Sequence, residues 1–125
     1  MIKGVHTLFY SAEPDALRAF LRDKLELNAH DIGGGWLIFD LPEADMGVHP
    51  AAGPEGSPEA AAEPPAGTHH ISFYCDDVAE SRTALEARGV TFVDEIQDMG
   101  FGLVTNFEIP GGQTLQLYQP RYSKG

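Results

Sequence analysis

Basic side chains are scarce in this chain of 125 residues: eight Lys and Arg stand against 19 Asp and Glu, a formal net charge of −11. Nucleic acid and anionic membrane surfaces are held by clustered Lys and Arg, so neither is expected as a partner. Cysteine is nearly absent. Cys75 alone cannot form an intrachain disulfide framework, and nothing calls for an oxidising compartment. With Ile71 and Phe73 at alternate positions of the same segment, it reads as a packing residue rather than a catalytic thiol. Long apolar runs are also missing. No stretch approaches the ~20 apolar residues that span a bilayer, and no leader-like segment opens the chain. The expectation is one cytoplasmic domain with a single ordinary core.

What the chain does contain is an echo. Residues 4–13 read GVHTLFYSAE and residues 68–77 read THHISFYCDD. Each has a His followed three and four residues later by Phe and Tyr, then an acidic cluster before a helix-like pattern. Between the two halves lies PAAGPEGSPEAAAEPPAG, residues 50–67, built almost wholly from Pro, Ala, Gly, Glu and Ser. Such a composition buries too little apolar surface to offset the entropy of ordering it, so a flexible linker is expected between modules at 1–49 and 68–120.

Each half has the same order of elements. In the first, a strand at 3–10 leads through Ser11, Glu13 and Pro14 into a helix carrying Leu17, Phe20, Leu21 and Leu25 at helical spacing, then strands at about 26–32, 35–41 and 44–49. In the second, a strand at 69–75 precedes a helix near 78–88 and strands at about 90–96, 101–109 and 113–119. Asp77 and Glu80 have capping-box spacing, and Gly89 stands where a left-handed cap is needed. His6, Phe9, Tyr10 and Leu21 align with His70, Phe73, Tyr74 and Leu85. A slightly longer offset brings Phe39 onto Phe107 and Pro42 onto Pro110. Offsets that change only at turns mark a duplicated βαβββ unit.

Strand alternation then sorts the faces. Phe9, Phe73, Phe39, Phe107, Leu41, Ile109, Met46, Leu115, Val48 and Leu117 mark the face that packs on the helices. The opposite face carries His6, Leu8, Tyr10, His70, Ser72, Tyr74, Trp36, Ile38, Asp40, Val104, Asn106, Glu108, Asp45, Gly47, His49, Thr114, Gln116 and Tyr118. It is too polar for a core and too aromatic for plain surface, which is the character of a ligand-cavity wall. His69 falls on the helix face and His30 near a turn.

The paired openings GVHTLFY and HHISFYCDD, the helix DDVAESRTALEARGVTF and the closing IPGGQTLQLYQP together resemble the vicinal oxygen chelate superfamily, which includes glyoxalase, bleomycin- and fosfomycin-resistance proteins and extradiol dioxygenases. The resemblance covers nearly the whole chain apart from the linker. It implies an α+β fold in which two βαβββ modules form a curved, cup-like mixed sheet with helices on the outer face, often completed in a homodimer. It also implies a divalent metal (Zn, Mn, Fe or Ni) or a bound ligand on the concave side. The family's metal ligands come from the first and last strands of each module. Those positions are here His6 and His70, which keep the imidazole, and Gly47 and Gln116, which replace carboxylates. His49, two residues beyond Gly47 on the same face, makes an alternative fourth donor.

Two functions follow from that resemblance. In one, His6 and His70, with Gln116 or His49, hold an ion that assists isomerase, lyase or oxygenase chemistry on a small organic molecule, and Glu108 or Asp40 moves a proton. In the other, the cup binds or sequesters a small molecule without metal, as drug-resistance members do, gripping it with Tyr10, Trp36, Tyr74, Phe101, Asn106 and Tyr118. Taken singly, these imidazoles, carboxylates and rings also suit a polar pocket wall, an exposed strand end and ordinary core or dimer contacts. The missing carboxylates weaken the metal reading, because an amide is a poorer donor and glycine offers none.

Overall fold

The computed structural model describes residues 1, 5–48, 64–65 and 67–122, so His49 and nearly all of the expected linker lie outside the described residues. Helix α1, Pro14–Asp23, opens on proline, and the Ser11 hydroxyl just ahead of it accepts the Glu13 N–H at 3.0 Å. Its Leu17 and Leu21 are buried, and Phe20 stacks on Phe107 with ring centroids 6.4 Å apart. Strands β1, Asn28–Asp31, and β2, Leu37–Asp40, form an antiparallel hairpin. Its turn needs three consecutive glycines because Gly33, Gly34 and Gly35 all have positive φ. The Asp31 carboxylate accepts the N–H groups of Gly33 and Gly35 at 2.7 and 3.2 Å. Arg18 of α1 lies 4.9 Å over the Trp36 ring and ties the hairpin to the helix.

The second half builds a four-stranded sheet. Strand β3, Ser72–Tyr74, is followed by helix α2, Val78–Ala87, and by β4, Gln97–Asp98, β5, Gly102–Ile109, and β6, Gln113–Pro120. The order is β3-β6-β5-β4, with β3 parallel to β6 and the other pairs antiparallel. This is the expected βαβββ module. The parallel pair lies where the α2 crossover connects it, and the turn between β5 and β6 uses Gly111 and Gly112 at positive φ. Glu13 accepts the Gly111 N–H at 3.0 Å, so the entry to α1 is bonded to that turn.

Leu17 and Leu21 of α1 share one core with Val78 and Leu85 of α2, Val90, and the sheet residues Phe107, Ile109, Leu115 and Leu117. Both helices therefore cover one face of this sheet, and the duplicated halves complete each other's core. Phe107 has no solvent exposure and also meets Phe92 at 5.4 Å. The fold is the expected α+β arrangement of open, curved sheets with helices on one side.

Several element boundaries differ from the sequence expectation. Residues 5–10 and 44–48, expected as strands, form no ladder among the described residues. A segment becomes a strand only when a neighbour takes its backbone N–H and C=O groups, and among the described residues neither segment pairs with one. Their apolar side chains follow: Leu41, Met46 and Val48, assigned to the buried face, are exposed, whereas Phe9, Phe39 and Phe73 lie half-buried against the core. The strand expected at 90–96 is reduced to one bridge, Phe92 to Phe107, and pairing resumes only at β4. Among the described residues no helix is long and apolar enough to cross a membrane.

Candidate functional site

A cleft of about 520 Å³ opens where β3 starts alongside β6. Its apolar wall is Phe9, Ile71, Ile109 and Leu115, and its polar residues include His69, His70, Asn106, Thr114 and Gln116. His69 was expected on the other face. The β3 ladder begins only at Ser72, so residues 69–71 escape strict alternation and both imidazoles reach the same cleft.

The polar floor is a row of two hydrogen-bonded pairs set side by side by the strand register. Ser72 of β3 is paired with Gln116 of β6, and Gln116 with Asn106 of β5. The Ser72 hydroxyl donates to Gln116 Oε1 at 2.6 Å. At the far end, the Asn106 amide Nδ2 and backbone N–H donate to the Asp94 carboxylate at 2.7 and 2.8 Å. The buried Thr105 hydroxyl donates to the same carboxylate at 2.8 Å. Arg82 of α2 donates to Thr105 Oγ1 and to the Asp94 carbonyl, at 2.8 and 2.6 Å, while lying 4.8 Å over the Phe92 ring. Burial pushes the Asp94 carboxyl up. The bonds from the Asn106 side chain and backbone and from Thr105, with the nearby Arg82 charge, outweigh it and hold the group below its usual value. Asp94 is thus an ionised bracket where the chain leaves the edge of β5.

A second cluster lies at the other end of β6. Phe101 meets Tyr118 edge-on at 5.7 Å, and Tyr118 lies 6.4 Å from Tyr122. The Tyr118 hydroxyl donates to the Tyr122 hydroxyl at 2.9 Å, which donates to Asp45 Oδ2 at 3.0 Å. The Tyr118 bond, then burial and the Asp45 contact, push the Tyr122 phenol well above its ordinary value. Gly102 makes room for this cluster: a Cβ there would stand 2.5 Å from the Tyr118 ring. Half-buried Cys75 has its thiol pushed up, chiefly by burial, which makes it a poor nucleophile at neutral pH.

The structure brings together His70, Asn106 and Gln116 in the cleft and Phe101 with Tyr118 in the aromatic cluster. It does not gather the rest. His6 and Tyr10 are exposed outside the cleft lining, Trp36 lies on α1, and Tyr74 is half-buried on β3. Glu108 is exposed, opposite Thr114 near the turn, and Asp40 is exposed at the end of the hairpin. Sequence reading missed Asp94 and Tyr122 as partners of the site. Asp94 comes at the end of a segment read as a strand, and Tyr122 lies beyond the last strand, so neither carried a periodic signal.

A divalent ion needs three or more converging donors. Among the described residues no group of three or more His, Cys, Asp or Glu can hold one. The Oε1 of Gln116, the atom an amide would offer an ion, already accepts from Ser72, and Gly47 has no side chain. The described residues do not fit the metal that the superfamily often uses.

Comparison with known proteins agrees with this architecture. The family model described as Glyoxalase/Bleomycin resistance protein/Dioxygenase superfamily matches residues 4–117. No curated protein matches the sequence. Among solved structures, TnmS3, an antibiotic binding protein from a Streptomyces species, superposes with a TM-score of 0.61 at 19% identity, covering 96% of this chain and 99% of its own. A glyoxalase/bleomycin resistance protein/dioxygenase superfamily member from Sphaerobacter thermophilus gives 0.58 at 25% identity, covering 94% and 98%. Lactoylglutathione lyase from Agrobacterium tumefaciens gives 0.54 at 23% identity, covering 90% of each chain. With the βαβββ module of the second half, the core shared by both helices and the family match over residues 4–117 in place, the chain belongs to the glyoxalase/bleomycin resistance protein/dioxygenase superfamily.

Proposed function

We propose that this protein binds a small organic molecule in the cleft between β3 and β6 by hydrogen bonds and apolar contact, with no divalent ion in the grip of its described side chains. The observation that carries this reading is the state of the donor set. Gln116 and Asn106, where ligand-facing groups stand on β6 and β5, are both engaged by neutral or anionic protein partners, and among the described residues His70 belongs to no group of three or more His, Cys, Asp or Glu that could hold a metal ion. A cleft of about 520 Å³ with mixed apolar and hydrogen-bonding walls suits a small molecule. The likeness to an antibiotic binding protein makes antibiotics the first probes.

Isothermal titration with bleomycin and a panel of aromatic antibiotics, with and without EDTA, tests this. The expected result is binding of one molecule per cleft that EDTA leaves unchanged and that His70→Ala weakens about fivefold, as loss of one wall contact would. Assay of lactoylglutathione turnover after dialysis against Zn, Mn, Fe(II) and Ni supplies the opposing outcome. One bound ion per chain together with metal-dependent turnover would overturn the reading.

The working form is a pair of chains. Strand β3 is the outer strand of its sheet, and the extended segments 5–10 and 44–48 expose Val5, Leu8, Tyr10, Met46 and Val48. Exposed strand edges beside uncovered apolar side chains are stabilised by pairing with another chain, and a second copy offers the same self-complementary set. Light scattering in solution gives the mass, and a mass of one chain at micromolar concentration would end this part of the proposal.

A further inference from the structure

The orientation of one cleft-floor amide, Asn106, is dictated by the carboxylate at its end of the row. An ionised carboxylate accepts hydrogen bonds and donates none. Asp94, held ionised by its four partners, therefore forces the NH2 group of Asn106 to face it and turns the Asn106 carbonyl Oδ1 away. At the opposite end Gln116 Oε1 accepts from the Ser72 hydroxyl, and in that arrangement the Gln116 NH2 lies on the far side, towards β5. Asn106 and Gln116 are direct partners across the antiparallel β5–β6 pair, and both are half-buried in the cleft. Directly opposed residues on such a pair lie about 4.5–5.5 Å apart, close enough for one small group to touch both side chains. The floor thus offers a carbonyl acceptor beside an NH2 donor.

We propose that this pair recognises a carboxamide or lactam: Gln116 Nε2 donates to the ligand carbonyl oxygen, and the ligand N–H donates to Asn106 Oδ1. The inference rests on the cleft being the binding site and adds the chemical class it selects. An ester of the same shape can accept from Gln116 but leaves the half-buried Asn106 carbonyl without a donor, a mismatch worth on the order of tenfold in affinity. A carboxylate fails in the same way and also brings a second negative charge towards Asp94. Asp94 acts here as a positioning residue, since it works through the amide it orients, and Ser72 anchors the Gln116 side chain.

Benzamide and its ester isostere methyl benzoate are the probes, titrated into 15N-labelled full-length protein while the side-chain NH2 resonances of Asn106 and Gln116 are followed. Benzamide is expected to shift both pairs of resonances and to bind about tenfold more tightly than methyl benzoate. Gln116→Glu, which replaces the donor to the ligand carbonyl with an acceptor, weakens both probes and leaves the preference for an N–H, carried by Asn106 Oδ1, in place. Asp94→Asn frees the Asn106 amide to turn and brings the benzamide-to-ester ratio towards one; a purely structural role for Asp94 would lower stability without changing the ratio. Equal binding of the two probes at the cleft overturns the amide assignment. So does failure of benzamide to bind while an antibiotic of the panel shifts the cleft resonances, and in both cases the binding reading survives. If no compound moves any cleft resonance, both fall.

Discussion

Asp94 shows how one carboxylate can organise a site it does not occupy. It faces Asn106, Thr105 and Arg82, and its ionised form is favoured by these bonds in the folded state. A carboxyl held below its ordinary 3.8 contributes stability that is complete above that value and is lost as the pH falls through the lower folded value. Urea unfolding midpoints should therefore drop more steeply for the wild type than for Asp94→Asn between about pH 5 and pH 2.5. Parallel curves would show that Asp94 does not couple to folding. None of this was visible in the sequence, where Asp94 is one acidic residue among 19.

The two helices illustrate how local signals and tertiary partners divide the work at the scale of elements. For α2 the local signals suffice: Asp77 Oδ1 accepts the Glu80 N–H at 3.0 Å, Gly89 adopts φ of 89°, and the boundaries follow the sequence pattern closely. Asp77→Ala removes the cap and should cost about 1 kcal/mol, read as a lower urea midpoint with an unchanged slope. A slope change would mean that the denatured state, rather than the cap, was altered. Strands at 5–10 and 44–48 lack such self-sufficiency. The alternation read along them placed Phe9 against the core but also assigned Met46 and Val48 to it, and both are exposed; a strand exists only through a partner, and the sequence does not name that partner. The hairpin β1–β2 forms because its partner is near in the chain and Gly33, Gly34 and Gly35 close the turn.

At the scale of the whole molecule the two halves play unequal parts. The second half supplies a four-stranded sheet, while the first supplies α1 to its core and leaves extended segments along its surface. Leu8 and Met46 are 51% and 81% exposed, so a charge at either position costs this fold little by itself. If a second chain covers them, Leu8→Glu with Met46→Glu should convert a two-chain mass to a one-chain mass in light scattering while the melting temperature of the isolated chain stays within a few degrees. A two-chain mass that persists in the double variant would move the interface elsewhere.

The duplicated opening phrases, the βαβββ order and the superfamily followed from the sequence because periodicity, caps and turn glycines are short-range signals, each carried within a few residues of Pro14, Asp77, Gly89 or Gly111. The lining residues Asn106 and Gln116 were also placed on one face, since alternation along a paired strand is a property of the backbone. Only the tertiary structure decided which way the two floor amides turn, because Ser72, Gln116, Asn106 and Asp94 are drawn from three strands and a loop, and their row exists only once β3, β6 and β5 lie side by side. It decided equally that His69 joins the cleft and that Tyr122 closes on Asp45, contacts made where the ladders stop and no periodic rule applies.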